Sequence, residues 1–220
     1  MKTFSTILII ALFSFGITRA QSNNNIELGF NAGYNESYAT VGQSSTFSSK
    51  AINGYNIGVF ADMYFSDRWS IKTKLIYDQK GYGPNYYPTP EVLFLNIASP
   101  PPTYNFNYGN VRLNYLTVPV MAGWHFGQQR NWYMHFGPYV GFLLNGNALA
   151  STTPGVTSYN NVDVGLALGI GVKFPLTNKI KLFIEEDGQG GFINIYNKAA
   201  GSMAQNVRAS INMGLNFSVK

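Results

Sequence analysis

The chain has 220 residues and a formal net charge of +5, with no cysteine and only 11% Asp, Glu, Lys and Arg, while Gly, Phe and Tyr number 23, 16 and 15. A soluble domain carries about 25% charged residues, so this composition argues against one, and the small positive excess, about +3 once Lys2 and Arg19 are set aside, argues against nucleic-acid binding. Without cysteine there is no thiol nucleophile, no thiolate metal site and no lipid anchor on an N-terminal cysteine.

Residues 1–20 read as a targeting segment. Lys2 gives a positive start, Ile7 to Phe15 an apolar core, and Thr18-Arg19-Ala20 a small-x-small cleavage site. The expectation is export, cleavage after Ala20, and one mature domain over 21–220. The apolar run is too short for a spanning helix and no second one is long enough, so a membrane role requires strands.

Eight segments carry the strand alternation, in which side chains two apart share a face. In chain order they are Ile26 to Tyr34, Tyr55 to Phe65, Trp69 to Tyr77, Leu116 to Phe126, Trp132 to Leu144, Val162 to Phe174, Ile180 to Glu185 and Val207 to Val219. The sixth is the clearest. Its even positions are Val162, Val164, Leu166, Leu168, Ile170, Val172 and Phe174, against Asp163, Gly165, Ala167, Gly169, Gly171 and Lys173. A uniformly apolar face of that length matches the roughly 9–11 residues of a tilted transmembrane strand.

Between these segments the connections alternate in length. Segments 66–68, 127–130 and 175–179 are tight turns, whereas those near 35–53, 82–111, 146–160 and 188–206 are long and rich in Ser, Asn, Gly, Pro and Tyr. Outer-membrane barrels have short periplasmic turns and longer external loops, and a chain that starts inside fits that order throughout. Phe65, Trp69, Trp124, Phe126 and Trp132 all fall beside short turns, where a periplasmic aromatic girdle belongs. The expected fold is an all-β, eight-stranded antiparallel transmembrane β-barrel in the outer membrane of a Gram-negative bacterium. Pro119 cannot donate to a ladder; it falls on the face opposite the apolar one, and a bulge or missing bond is expected there.

The run Asn114-Tyr115-Leu116-Thr117-Val118-Pro119-Val120, followed by Trp124 and Phe126, resembles the tyrosine-leucine-x-hydrophobic-proline element of PorT-type outer-membrane β-barrel proteins. His135-Phe136-Gly137-Pro138-Tyr139-Val140-Gly141-Phe142 is similar to that family's next strand, and Phe192-Ile193-Asn194-Ile195 fits the same layout. The resemblance implies a small barrel, similar in build to OmpA- and OmpX-like proteins. Through the family's name it also implies an accessory role in type IX-like secretion.

Eight strands enclose an interior that side chains fill, which argues against an open channel. Inward charges should then pair, because a buried lone ion costs several kcal/mol. Glu27, Asp62, Lys72 and Lys74 fall toward the periplasmic end of the first three strands, and Glu185 or Asp187 is expected to meet Arg208 near the external end. The Glu185-Glu186-Asp187 run suggests a hard-cation site, but alternation sends adjacent carboxylates to opposite faces, so no metal and no cofactor is expected. His125 and His135, the only histidines, have no evident serine and carboxylate partners, so catalysis such as lipid modification is disfavoured. Gly188-Gln189-Gly190-Gly191 lacks phosphate-loop context and is expected to be an external hinge.

The longest loop combines Tyr82, Tyr86, Tyr87, Tyr104 and Tyr108 with six prolines, and encloses the apolar run 92–97 around Phe94. Tyrosine offers amphipathic contact area at low entropic cost. That suits recognition of envelope proteins or surface glycans, and the same residues equally suit an outer girdle on a stiffened loop. The expected partners are outer-membrane lipid and those surface ligands, with no nucleic acid, for a chain that is a monomer or part of a secretion complex.

Overall fold

The computed structural model describes residues 26–41, 47–83, 110–146, 158–197 and 204–219. The expected export segment 1–20 lies outside them. Eight long strands are present: β1 (Ile26–Val41), β2 (Ile52–Tyr64), β3 (Trp69–Tyr82), β4 (Val111–Phe126), β5 (Trp132–Gly146), β6 (Val162–Pro175), β7 (Ile180–Gly191) and β8 (Ala204–Val219). Each pairs antiparallel with the next, and β8 closes on β1 from Ile26–Val219 up to Val41–Ala204. The expected closed antiparallel barrel is the fold.

The register sets its shape. The row of paired residues Ile26, Met63, Ile71, Ala122, Phe136, Leu168, Gly188 and Ala209 returns to β1 at Glu36. Closure therefore shifts the ladder by ten residues over eight strands. With about 3.3 Å per residue and 4.8 Å between strands, that shift requires a strand tilt of about 40°. On the outer face Ile57, Leu168 and Ile211 are 57%, 56% and 65% exposed, while the charged residues between them point inward and are buried.

Glycine on the inner face gives the large rings somewhere to lie. Phe60 lies over Gly29, Tyr139 over Gly165, Tyr133 over Gly171 and Phe183 over Gly214, each ring against the glycine directly across the ladder. A Cβ at Gly29 would stand 2.3 Å from the Phe60 ring, and one at Gly214 2.6 Å from that of Phe183. Such contacts cannot be accommodated without displacing the ring, so each glycine is the seat for its partner ring.

One end of the barrel is closed by the three tight turns. Ser66 Oγ accepts from Trp69 N at 3.0 Å and Thr177 Oγ1 from Ile180 N at 3.0 Å, the hydroxyl turns expected of these residues. In the turn after β4, Gly127 takes a φ of 85°, which glycine adopts without steric cost.

At the other end the strands run further than the alternation predicts. β1 continues seven residues past Tyr34, and β7 carries on through Gly191. The expected hinge at 188–191 is thus strand: Gly188 pairs with Leu168 and Ala209, and Gly190 with Leu166 and Val207. The chemistry of the side chains changes there, not the backbone's pairing.

Pro119 is on the inner face, as expected. The β3–β4 ladder skips Lys74 and Leu75, the residues that face Pro119 and Val118, and the β4–β5 ladder skips Val120 and Met121 opposite Pro138 and Gly137. The actual register shift lies higher, between Asn114 and Tyr115, with Leu144 as the extra residue.

Candidate functional site

The lumen holds two kinds of group, ion-paired side chains within the barrel and an apolar cap over its outer mouth. Among the described residues six carboxylates are buried there against five cations, with Lys181 at the rim as a sixth. In three storeys the pairs cross from one wall to the other, because an eight-stranded barrel is about two side chains wide.

At the periplasmic end, Lys173 Nζ on β6 donates to Glu27 Oε2 (2.6 Å), Asp62 Oδ2 (3.1 Å) and the Tyr64 hydroxyl (2.7 Å). Glu27 also accepts from Lys181 at 2.6 Å and Asn216 at 2.8 Å. This storey opens downward into a polar recess of about 670 Å³ lined in part by Tyr64, His125, Arg130 and Lys173.

In the middle, Glu185 on β7 accepts from Lys72 (2.8 Å) and Lys74 of β3, on the far wall, and from the Tyr133 hydroxyl (2.8 Å). Lys72 Nζ stands 4.8 Å from the centroids of both Phe60 and Tyr133, so cation–π contact supplements its ion pair. Lys74 also reaches Asp187 at 3.4 Å.

Above this, Arg208 joins Asp187 (2.7 Å) to Asp78 on β3 (3.2 Å). Asp187 further accepts from Ser210 and Asn212, each at 3.0 Å. Lys80 then pairs with Asp163 at 3.0 Å, and Asp163 accepts from Tyr139 at 3.2 Å. Each charge thus has an opposite charge beside it, and Glu27, Asp78, Asp163, Glu185 and Asp187 accept further hydrogen bonds from neutral side chains, the condition under which buried ions are tolerated.

Sequence reasoning put the right charges on the inner face and some of the wrong partners beside them. Glu185 does not meet Arg208; it takes Lys72 and Lys74, because the tilt brings the middle of β7 opposite the lower half of β3. Arg208 takes Asp187, the other of its two expected partners, together with Asp78. Lys72 and Lys74 consequently do not pair with Glu27 and Asp62, whose cation is Lys173. Asp78, Lys80, Asp163, Lys173 and Lys181 were not among the expected pairs, although inward parity marks all five.

The cap is a buried cluster that includes Ala39, Tyr82, Val111, Leu113, Tyr115, Tyr159, Ile195 and Tyr196. Tyr82 is therefore not a loop residue: it ends β3, is 8% exposed, and its hydroxyl lies 2.5 Å from that of Tyr196. Tyr196 in turn stacks on Tyr159 through a two-stranded ladder of Ser158–Tyr159 with Tyr196–Asn197. Tyr86, Tyr87, Phe94, Tyr104 and Tyr108 lie outside the described residues. At the opposite end exposed Trp69, Trp124 and Trp132 and half-buried Phe126 form a continuous band with centroid spacings of 5.0 to 6.5 Å, and exposed Phe65 stands at the adjoining turn.

Both histidines are buried, and His125 has the neighbours that sequence reasoning did not find. Ser70 Oγ lies 3.1 Å from His125 Nε2, and Asp62 Oδ2 lies 4.0 Å from the same nitrogen. A hydrolytic triad needs the carboxylate on the ring's other nitrogen, and Ser70 is fully buried, so this trio lacks the geometry of one. Among the described residues His135, Glu185 and Asp187 bring ligand-type atoms within 4.8 Å of one another. A cation there would have to displace Lys72 and Lys74 from Glu185 and Arg208 from Asp187. Glu186, between the two inward carboxylates, points outward.

An ion-filled lumen inside a lipid-matched wall defines a plugged transmembrane β-barrel. The chain matches the model of the outer membrane protein beta-barrel domain family over residues 19–197 and belongs to that family; it is a protein of the Gram-negative outer membrane. No curated protein matches it. Among solved structures it is similar to OprG of Pseudomonas aeruginosa, at 9% identity and a TM-score of 0.52, over 90% of this chain and 98% of that one. It is also similar to Neisserial surface protein A (15% identity, TM-score 0.45, 86% and 96% covered). A further match is Ail of Yersinia pestis, solved with the heparin analogue sucrose octasulfate (14%, 0.41, 87% and 99%). At these identities the likeness concerns the fold.

Proposed function

We propose that this barrel is a non-enzymatic platform that holds recognition segments at the cell surface, with envelope proteins or surface glycans as their partners. The observation that carries this is the cap. Tyr82, Tyr159 and Tyr196 join the ends of three different external connections into one buried cluster above a filled lumen. A transport channel has no use for such a closure, whereas a display platform gains from it, since rigid anchoring lowers the entropy lost on binding. The tryptophan band then serves as the periplasmic girdle that fixes the barrel's depth.

Replacing residues 84–104 with a short Gly-Ser linker tests this. The variant should still show the gel-mobility change of a folded barrel on heating, and should lose binding to envelope extracts or glycan panels that the full chain retains. Equal binding by both would remove the loop from the function.

The narrower kinship with PorT-type barrels, and an accessory role in type IX-like secretion, is the second reading; it is favoured by the Asn114–Val120 run. It requires the protein to leave the membrane in mild detergent as part of a large assembly.

A further inference from the structure

The periplasmic end of the lumen is open, and its recess holds more positive charge than the barrel's own pairs consume. Arg130, Lys173, Lys179 and Lys181 line it against Glu27 and Asp67. Three of these cations are already paired. Lys173 binds Glu27 and Asp62, Lys181 binds Glu27 at 2.6 Å, and Arg130 reaches from the turn after β4 to Asp67, in the turn after β2, at 3.0 Å. Lys179 is the remainder: it is exposed at the rim, and among the described residues its ammonium makes no ion pair or hydrogen bond. Counting Asp62 behind Lys173, four cations face three carboxylates, an excess of one positive charge.

The rest of the lining suits a peptide. Gln129, Asn131 and Asn178 bring amide groups to the rim, each with donors and an acceptor. The floor includes the rings of Tyr64 and His125, with centroids 4.8 Å apart. Arg130 takes a φ of 56°, a left-handed conformation that costs any residue but glycine, and from it spans two of the three turns. Because the recess lies inside the ring of turns, the lipid headgroups around the wall do not reach it. At about two side chains wide and about 670 Å³ in volume, it admits the end of an extended chain and no folded domain.

We propose that this recess binds the carboxylate-bearing end of a short peptide, and that its ligand is the stem peptide of the cell wall. Lys179 takes a carboxylate, and the rim amides take the peptide bonds. One excess charge and a few amides open to water make a weak site, in the millimolar class of affinity. Wall peptides are fixed in a layer below the turns, and a high local concentration fills a weak site. A protein tail at ordinary concentration does not. Bound in this way, the barrel is tied to the wall from below while its external segments stay displayed above.

The test is a titration of the folded barrel in detergent micelles with muramyl tripeptide ending in diaminopimelate, followed by amide NMR. Saturable shifts should centre on Asn131 and Lys179, and the same compound with its carboxyls amidated should bind at least tenfold more weakly. Lys179→Glu should lower the affinity at least tenfold. Arg68→Glu makes the same change of charge in a neighbouring turn, at a residue that does not line the recess, and should stay within twofold. Both side chains are exposed, so both variants should keep the heat-dependent mobility shift of a folded barrel. Absence of saturable shifts, equal binding of the amidated compound, or equal effects of the two variants would each overturn the proposal. Tighter binding of the acidic L-peptide Ala-Glu-Glu would overturn it too, by giving the recess to a protein tail.

Discussion

Arg208 shows what the lumen asks of a single side chain. It is fully buried yet carries a charge, held between Asp187 and Asp78 on opposite walls. Removing one partner of a buried pair leaves the other uncompensated, which costs about 3–5 kcal/mol. Arg208→Met should therefore lower the barrel's stability by about that amount, read from urea unfolding in lipid vesicles by tryptophan fluorescence. Combined with Asp187→Asn, the loss should fall well short of additive, and with Glu185→Gln it should come closer to the sum, since contacting residues couple and separated ones add. Stronger coupling to Glu185 would make it, of the two partners that alternation allows, the one that Arg208 takes. That difference marks the limit of legibility at this scale. Parity in the sequence placed Glu27, Asp62, Lys72, Lys74, Glu185, Asp187 and Arg208 inside, but partner choice depends on the ten-residue shift around the barrel, which no local pattern encodes.

At the scale of the strand, glycine has two opposite meanings, and the face decides between them. Inward Gly165 seats the Tyr139 ring and stands against the Gly190 carbonyl; outward Gly190 faces open space. Gly165→Ala forces a methyl into filled volume and should destabilise the barrel by about 1–3 kcal/mol. Gly190→Ala should leave its folding unchanged. Urea midpoints of the two variants give the comparison, and an equal effect would mean that the rings do not rest on the glycines. The strands' lower halves were readable because lipid demands an unbroken apolar face. Their upper extensions were not, because Asn35-Glu36-Ser37 and Gly188-Gln189-Gly190-Gly191 lack the apolar alternation and look like loop while the ladder continues through them. Tyr82 was misplaced for the same reason: an aromatic next to Gly83 and Pro84 reads as loop unless the cap beneath it is known.

For the molecule as a whole, direction in the membrane follows from asymmetry. All three tryptophans sit at the end closed by tight turns, and the polar outward residues Arg112 and Asn114 sit near the other, where Arg112 donates to the Asn53 carbonyl at 2.8 Å and Asn114 to Asn145 at 2.6 Å. A barrel inserted with its turns in the periplasm places indoles at the inner interface and this polar collar above the hydrocarbon. The opposite orientation would require the four long connections to lie in the periplasm. Single cysteines at Gln129, in the turn after β4, and at Asn160, beside the cap, separate the two cases. In intact cells a membrane-impermeant maleimide should label Asn160→Cys and leave Gln129→Cys unreacted until the outer membrane is permeabilised. The reverse order would invert the barrel, and would move the proposed recognition segments to the periplasmic side, where surface glycans cannot reach them.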